Sequence, residues 1–472
     1  MTTASRRAES SAIPQRVHLV GIGGMHMSAI AQILLHRGHQ VSGSDLRPSD
    51  LTRRLAALGA TVYEGHHAHH VDDAGLLVAT AAAREDNPEI QEARRRGIPV
   101  LVRDQMVARL LEGRRAVAVA GTHGKTTTTS MVAVLLKHAG LDPTYLLGGE
   151  SVDLGGNAAP GDGPYVVVEA DEYKGAFLSY RPEVAVVLNV EPDHLDYYGT
   201  PEQVSAAFRR FLANVPPEGR LVVCADSPGA AALLAEPDAD PPLAAREVHR
   251  YGLSQPAEWT ADDVEPNDLG GHRFTVRHHG RPAGRFQLRV PGLHNVSNAL
   301  AAVVVGLTLG VEPAAIQEAL AGFRGARRRF ELLGEAGGVT VVDDYAHHPT
   351  EVRATLQAAR RRFPGRRLVG IFQPHTYSRT RYLLDGFRGC FADLDELIVA
   401  ETYAAREGPE AGIGARELAE RVERPRARYA ATLEEAARMA LEIARPGDVI
   451  FTLGAGDVNQ AGPAILEGLR SG

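Results

Sequence analysis

Gly121-Thr122-His123-Gly124-Lys125-Thr126-Thr127 follows the apolar run Ala116-Val117-Ala118-Val119-Ala120 and leads into Thr126 to His138, where Met131, Val134 and Leu135 fall at helical spacing. A strand, a glycine-rich turn and a helix in that order make a phosphate cradle. Glycine allows positive φ and close backbone approach, so successive N–H groups can point at phosphate oxygens while the helix N-terminus adds partial positive charge. Lys125 then offers a mobile cation to the β- and γ-phosphates, and the Thr126 hydroxyl can ligate Mg²⁺. The spacer departs from the common form, since only Thr122 and His123 separate Gly121 from the Gly124-Lys125 pair. The competing reading is an ordinary tight turn with a solvated lysine.

The same alternation recurs outward from this loop. Val17 to Val20, Gly21 to Gly24, an apolar run to Leu35 and Gln40 to Gly43 form one βαβ unit. A third pattern starts near Val341-Val342 and continues through strands at Leu368 to Phe372, Leu397 to Ala400 and Val449 to Leu453. The expected fold is α/β with three domains: a Rossmann-like N-terminal domain, a central P-loop ATPase domain with a mostly parallel sheet, and a Rossmann-like C-terminal domain. The charged connector Leu111 to Arg115 and the Gly/Arg segment Gly322 to Arg329 put the boundaries at 1–112, 113–322 and 323–472. A length of 472 residues suits three domains of about 150 residues. Pro237 to Pro242 reads as a surface loop.

Composition narrows the function classes. The chain is 44% hydrophobic and 23% charged, as a globular protein is, and its net charge of −7 gives no basic field for nucleic acid. Two cysteines, Cys224 and Cys390, are too few for a disulfide framework, and Met1 to Gln15 lacks the apolar core of a secretory signal and reads as a frayed tail. The cytoplasm is expected. The longest apolar stretch, Ala299 to Val311, is short of the ~20 residues a spanning helix requires, so no membrane association is expected.

Further candidates lie at strand ends, where α/β sheets bind ligands. Pro164 to Glu169 is an apolar strand ending in a carboxylate, which beside a triphosphate would hold Mg²⁺, with Asp171 and Glu172 close behind or all three a solvated cluster. Val184 to Asn189 leads into Glu191-Pro192-Asp193-His194, which makes His194 a second metal-ligand candidate. Gly21-Ile22-Gly23-Gly24-Met25-His26, with Asp45 downstream, is almost a dinucleotide fingerprint, but His26 stands where the third glycine belongs. Asn295 and Asn298, ahead of an apolar helix, read most simply as caps. Arg327-Arg328-Arg329 alone would be an exposed basic turn.

Taken in order, Gly121 to Thr127, Glu169 to Glu172, Asn189 to Asp196, His294 to Ala299, Arg328 to Glu331 and Asp343 to Pro349 resemble the Mur ligases of peptidoglycan synthesis over roughly Val17 to Asn459. His123, where the family more often has Asn, points to the branch acting on UDP-N-acetylmuramate. The resemblance implies ATP-dependent joining of L-alanine to UDP-N-acetylmuramate through an acyl phosphate, with attachment of a recycled tripeptide as the alternative. It implies Lys125, Glu169, His194 and Arg329 as catalytic residues. ATP would be held by Gly121 to Thr127, Asn295, Asn298, Arg329 and Asp344, and two Mg²⁺ ions by Thr126, Glu169 and His194. The UDP-sugar falls to Gly21, Gly23, Gly24, Ser44, Asp45 and His66, with the other histidines of Gly65 to His70 exposed. The amino acid falls to Tyr345, His347 and Arg379, the guanidinium pairing with the alanine carboxylate. Some family members carry Arg where this chain has Thr376. The partners are small molecules, and the chain is a monomer or homodimer.

Overall fold

The computed structural model describes residues 12–80, 82–235, 243, 246–405 and 407–471. Most of the Met1 to Gln15 tail and the Pro237 to Pro242 loop lie outside the described residues.

Three sheets follow one another along the chain. The first is all parallel, with strands β1 (Arg16–Val20), β2 (Gln40–Asp45), β3 (Thr61–Glu64), β4 (Leu76–Ala79) and β5 (Val100–Val102) in the order β3-β2-β1-β4-β5. The order reverses between β1 and β4, so the carboxyl end of β1, where Gly21 to Gly24 leads into helix α1 (Met25–His36), opens on a ligand crevice.

The second sheet has ten strands: β6 (Arg115–Ala120), β7 (Thr144–Ser151), β8 (Gly156–Ala159), β9 (Tyr165–Glu169), β10 (Val184–Val187), β11 (Arg220–Cys224), β12 (Glu247–Gly252), β13 (Trp259–Pro266), β14 (His272–His278) and β15 (Arg281–Gln287). Their order is β15-β14-β13-β12-β11-β10-β6-β9-β7-β8, parallel through the middle and antiparallel at both edges. β6 is buried on both faces. Val117 and Val119 pack with Met131 of helix α2 (Lys125–His138) and Val296 of helix α3 (Leu293–Thr308). Ala116, Ala118 and Ala120 join Phe177, Phe208 and Phe211 in an apolar cluster that runs on to Leu19 and Ile30 of the first domain. Each fully buried Phe contributes roughly 1.5–3 kcal/mol. The apolar stretch Ala299 to Val311 lies largely in α3, within this core. Among the described residues no helix is long and apolar enough to cross a membrane.

The third sheet orders β16 (Glu331–Ala336), β17 (Val339–Asp344), β18 (Leu368–Phe372), β19 (Glu396–Ala400), β20 (Ala427–Ala430) and β21 (Val449–Leu453) as β16-β17-β21-β18-β19-β20, parallel except for β16. β17 ends at Asp344, and Tyr345 to His348 leads into helix α4 (Pro349–Arg362). The α/β architecture read from the sequence, with three sheet-bearing units, is the one observed.

Candidate active site

The loop between β6 and α2 is shaped by two glycines at positive φ, Gly121 and Gly124. A Cβ on Gly124 would sit 2.7 Å from Asn298 Oδ1, and φ there is +80°, so only glycine fits. No side chain caps the first turn of α2, which leaves its N–H groups free for an anion. Lys125 Nζ lies 2.8 and 3.1 Å from the two Glu172 oxygens and donates to the carbonyls of Gly121 (2.7 Å) and Thr122 (3.2 Å). Burial opposes its charge, but Glu172, Asp171 and Glu169 outweigh burial and hold the ammonium protonated. Thr126 Oγ1 donates to Glu169 Oε2 at 2.8 Å, and the same oxygen accepts the Gly148 amide at 2.7 Å.

Lys125, Thr126, Glu169, Asp171, Glu172 and His194 line one cavity of about 580 Å³ with Arg329, Tyr345 and His347 of the third domain and His26 of the first. A hydroxyl amid three carboxylates is the hard oxygen set that suits Mg²⁺. His194, at φ 53°, faces Glu172 Oε1 at 3.8 Å and Asp193 Oδ2 at 3.7 Å. His26, displaced from the fingerprint role, lies in the first turn of α1 with Nδ1 3.3 Å from Arg103 Nη1; burial and Arg103 lower its pKa.

A second pocket of about 160 Å³ adjoins the loop, lined by His123, Gly124, Asn295, Asn298, Arg329 and Asp344 among others. The asparagines are not caps: Gly292 holds that place, Asn295 Nδ2 donates to Pro291 O at 2.7 Å, and Asn298 Nδ2 to Asn295 Oδ1 at 3.2 Å. Asp344 accepts the amides of Phe330 and Ala346, and burial pushes its carboxyl up to about 6. The arginine triplet resolves into separate roles. Arg328 pairs with buried Asp343 at 3.0 Å and donates to Gly454 and Gly456 carbonyls, which ties it into the third domain, while Arg329 faces both cavities. Both guanidinium groups lie 5.0 Å from the Tyr345 ring centre, so Tyr345 also orients Arg329.

A third cavity of about 410 Å³ is lined by Asp193, His194, His375, Ser378, Arg379 and Glu407, among others. Arg379 already engages a carboxylate with two prongs: Nε to Asp193 Oδ1 at 3.0 Å and Nη2 to Asp193 Oδ2 at 3.3 Å. Its Nη1 donates to His375 Nδ1 at 2.8 Å. Thr376 accepts the Arg379 amide and caps the short helix that carries it.

In the first domain, Gly23 N donates to Asp45 Oδ2 at 3.0 Å, which fixes the glycine loop, and Gly21 N donates to the Ser44 carbonyl. Ser44 and His66 converge on Glu89, at the end of the Ala82 to Glu89 segment that resembles the family's sugar-proximal loop: Ser44 Oγ donates at 2.7 Å and His66 Nδ1 lies at 3.0 Å. The histidine cluster departs from expectation at His70, which is buried, stacks on Tyr63 at 4.1 Å and pairs with Glu89 at 2.7 Å. Other acids were missed because their partners are remote in sequence. His123, Glu191 and His348 bring three donor atoms within 4.8 Å of one another, and Glu351 joins them from α4.

A lysine-bearing phosphate loop on a parallel sheet, with its acids at strand ends and an arginine supplied by a following domain, defines an enzyme that works on a nucleotide triphosphate. The chain belongs to the Mur ligase family: models of the Mur ligase family catalytic domain, middle domain and glutamate ligase domain match residues 16–115, 119–306 and 328–456. It is 48% identical to a UDP-N-acetylmuramate–L-alanine ligase of Anaeromyxobacter sp. (strain Fw109-5), over 96% of this chain and 97% of that one. Its identity to the ligase of that name from Geobacter sp. (strain M21) is 45%, over 97% and 98%. The crystal structure of the UDP-N-acetylmuramate–alanine ligase of Thermotoga maritima superposes with a TM-score of 0.79 at 31% identity, covering 97% of this chain and 99% of that one. A murein peptide ligase of Psychrobacter arcticus gives 0.72 at 26% identity, covering 96% and 98%.

Proposed function

We propose that this protein joins L-alanine to UDP-N-acetylmuramate, converting ATP to ADP and phosphate. The observation that carries the reading is the convergence of Lys125, Glu169, His194 and Arg329 on one cavity in a chain at least 45% identical, nearly end to end, to alanine-adding ligases. The alanine-adding names among those relatives favour this acceptor over the tripeptide.

A carboxylate is a poor electrophile, so the substrate carboxylate first attacks the γ-phosphorus of ATP; ADP leaves and an acyl phosphate forms. The alanine amine then attacks the carbonyl carbon, the C–N bond forms and phosphate departs with the C–O electrons. Such transfer needs charge neutralisation and alignment rather than a protein nucleophile. The N–H groups of Thr122 and His123 are bonded to Asn189, so those of Gly124 to Thr127 cradle the phosphates. Lys125 exchanges Glu172 for the β- and γ-oxygens, and Arg329 meets the same charge from the third domain. Thr126 and Glu169 would hold one Mg²⁺ and His194 a second, which when bound reduce the repulsion between carboxylate and phosphate. Asn295, Asn298 and Asp344 take the adenosine. Closure of the third domain excludes water that would hydrolyse the acyl phosphate. Tyr345, His347 and Arg379 serve the alanine side. Gly21, Gly23, Gly24, Ser44, Asp45 and His66 serve the UDP-sugar.

On this reading residues 1–112 take the UDP-sugar, 113–322 the ATP, and 323–472 close over both in a cytoplasmic monomer or homodimer. Phosphate release with ATP, Mg²⁺ and UDP-N-acetylmuramate, compared across alanine, glycine, serine and the tripeptide, tests it. Alanine gives the fastest turnover; turnover confined to the tripeptide reverses the acceptor.

A further inference from the structure

Both ring nitrogens of His123 face carboxylates, one from its own domain and one from the third. Nε2 is 3.3 Å from Glu191 Oε2, after β10, and Nδ1 is 3.4 Å from Glu351 Oε1, in α4. A ring with an acceptor at each nitrogen is held as the doubly protonated cation. Burial opposes that charge, but Glu191 and Glu351 outweigh it and push the pKa up to about 9. Glu351 is itself a junction. Its Oε1 lies 3.5 Å from Arg329 Nη1, and its Oε2 accepts the His347 amide at 3.1 Å and faces His347 Nδ1 at 3.2 Å. Across the same seam Thr350 Oγ1 donates to Glu191 Oε2 at 2.7 Å.

We propose that His123 is a positioning residue: a charged clasp by which the phosphate loop holds Glu351, and through it Arg329 and His347, in the closed arrangement of the second and third domains. The proposal rests on the ligase reading and gives the loop histidine a task beyond touching ATP. A metal is not what this cluster is built for. His348 Nδ1 already accepts the Thr350 amide at 3.2 Å, Glu191 Oε2 takes the Thr350 hydroxyl, and both nitrogens of His123 are turned to carboxylates, so the converging atoms are engaged with protons rather than open to a cation. The groups facing the ring are Glu191, Glu351 and His348, with Arg329 behind Glu351. Because folding raises the pKa of His123, the clasp is complete below about pH 6.5 and is lost as pH rises through about 9.

The test uses the full chain and the variants His123→Asn, Glu351→Gln and their double, with phosphate release at saturating alanine and UDP-N-acetylmuramate from roughly pH 6 to pH 10. Asparagine keeps a polar side chain at this place but cannot carry the charge, so the exchange is mild. Each single variant lowers kcat by about 10- to 100-fold while KM for ATP moves less than about 3-fold, and the double falls no further than the worse single. Wild-type kcat declines above about pH 9 and His123→Asn lacks that limb. Single variants within about 2-fold of wild type, an additive double or a retained limb would overturn the clasp. Small-angle scattering of the substrate-free chain reads closure without turnover. The wild type expands between about pH 7 and pH 10, whereas His123→Asn is expanded throughout; no difference between them also overturns it. A wild type that releases no phosphate but shows this expansion defeats the ligase reading and leaves the clasp standing.

Discussion

Lys125→Met separates what this lysine does for the fold from what it does for the reaction. Nζ is bonded to both oxygens of Glu172, whose side chain is 2% exposed, and the next basic group recorded beside that carboxylate is His194 at 3.8 Å. Removing the ammonium leaves that carboxyl buried without its cation, and because burial already pushes its pKa up it takes a proton, which puts the cost at the low end of about 3–5 kcal/mol. For a domain of this size, at about 2–4 °C per kcal/mol, melting falls by roughly 10 °C. On the proposed mechanism the chemistry loses a cation that would meet the transferring phosphoryl group, worth about 10²- to 10³-fold in kcat. The two losses part company in Lys125→Met/Glu172→Gln. An uncharged pair of similar volume is near neutral for stability, so scanning calorimetry should show melting close to wild type while phosphate release stays at the level of the single variant. Turnover that recovers along with stability, or a single variant that keeps more than about a tenth of wild-type kcat, would remove Lys125 from the phosphoryl transfer.

Gly124→Ala places a Cβ 2.7 Å from Asn298 Oδ1 at a left-handed φ, so affinity for a non-hydrolysable ATP analogue falls by about tenfold in calorimetric titration. Arg379→Lys gives up the fork that now grips Asp193 with two prongs, and KM for alanine rises by about tenfold in initial-rate assays with kcat less affected. Burial works to raise the pKa of Glu89, but His18 at 3.5 Å and hydrogen bonds from Ser44 and His70 prevail and pull it down to about 2. Its contribution, on the order of 3 kcal/mol, is present above about pH 4.5 and lost as pH falls towards 2, so Glu89→Gln flattens the acid limb of first-domain unfolding followed by hydrogen exchange.

What the sequence disclosed was local. The β6 strand, its loop and α2 are contiguous, and Val117, Val119, Met131 and Leu135 carry the strand and helix periods that their burial then reflects. Leu368–Phe372 and Val449–Leu453 were legible for the same reason, as short apolar runs buried on both faces. The antiparallel edge from Trp259 to Gln287 carries Arg, Asp and Glu on its solvent side and gave no clear signal. The pairings Glu191 with Thr350, Asp193 with Arg379 and Glu89 with His18 were invisible, since spacing along the chain says nothing of which domain a carboxylate will meet. Spacing alone did not separate Arg328 from Arg329, and only the family resemblance pointed to Arg329; the backbone turn at φ 58° on Arg328 sends Arg328 inward to Asp343 and Arg329 towards the cavities.

The 580 Å³ cavity takes His26 from the first domain, Lys125 from the second and Tyr345 from the third. A molecule lodged there acts as mortar among three separately built blocks, so heating a saturated sample should merge what would otherwise be staggered melting steps into one. By the same token an inhibitor shaped to this space need not resemble any single reactant: bracing the blocks against one another would stall the catalytic cycle by denying them the motion that turnover demands.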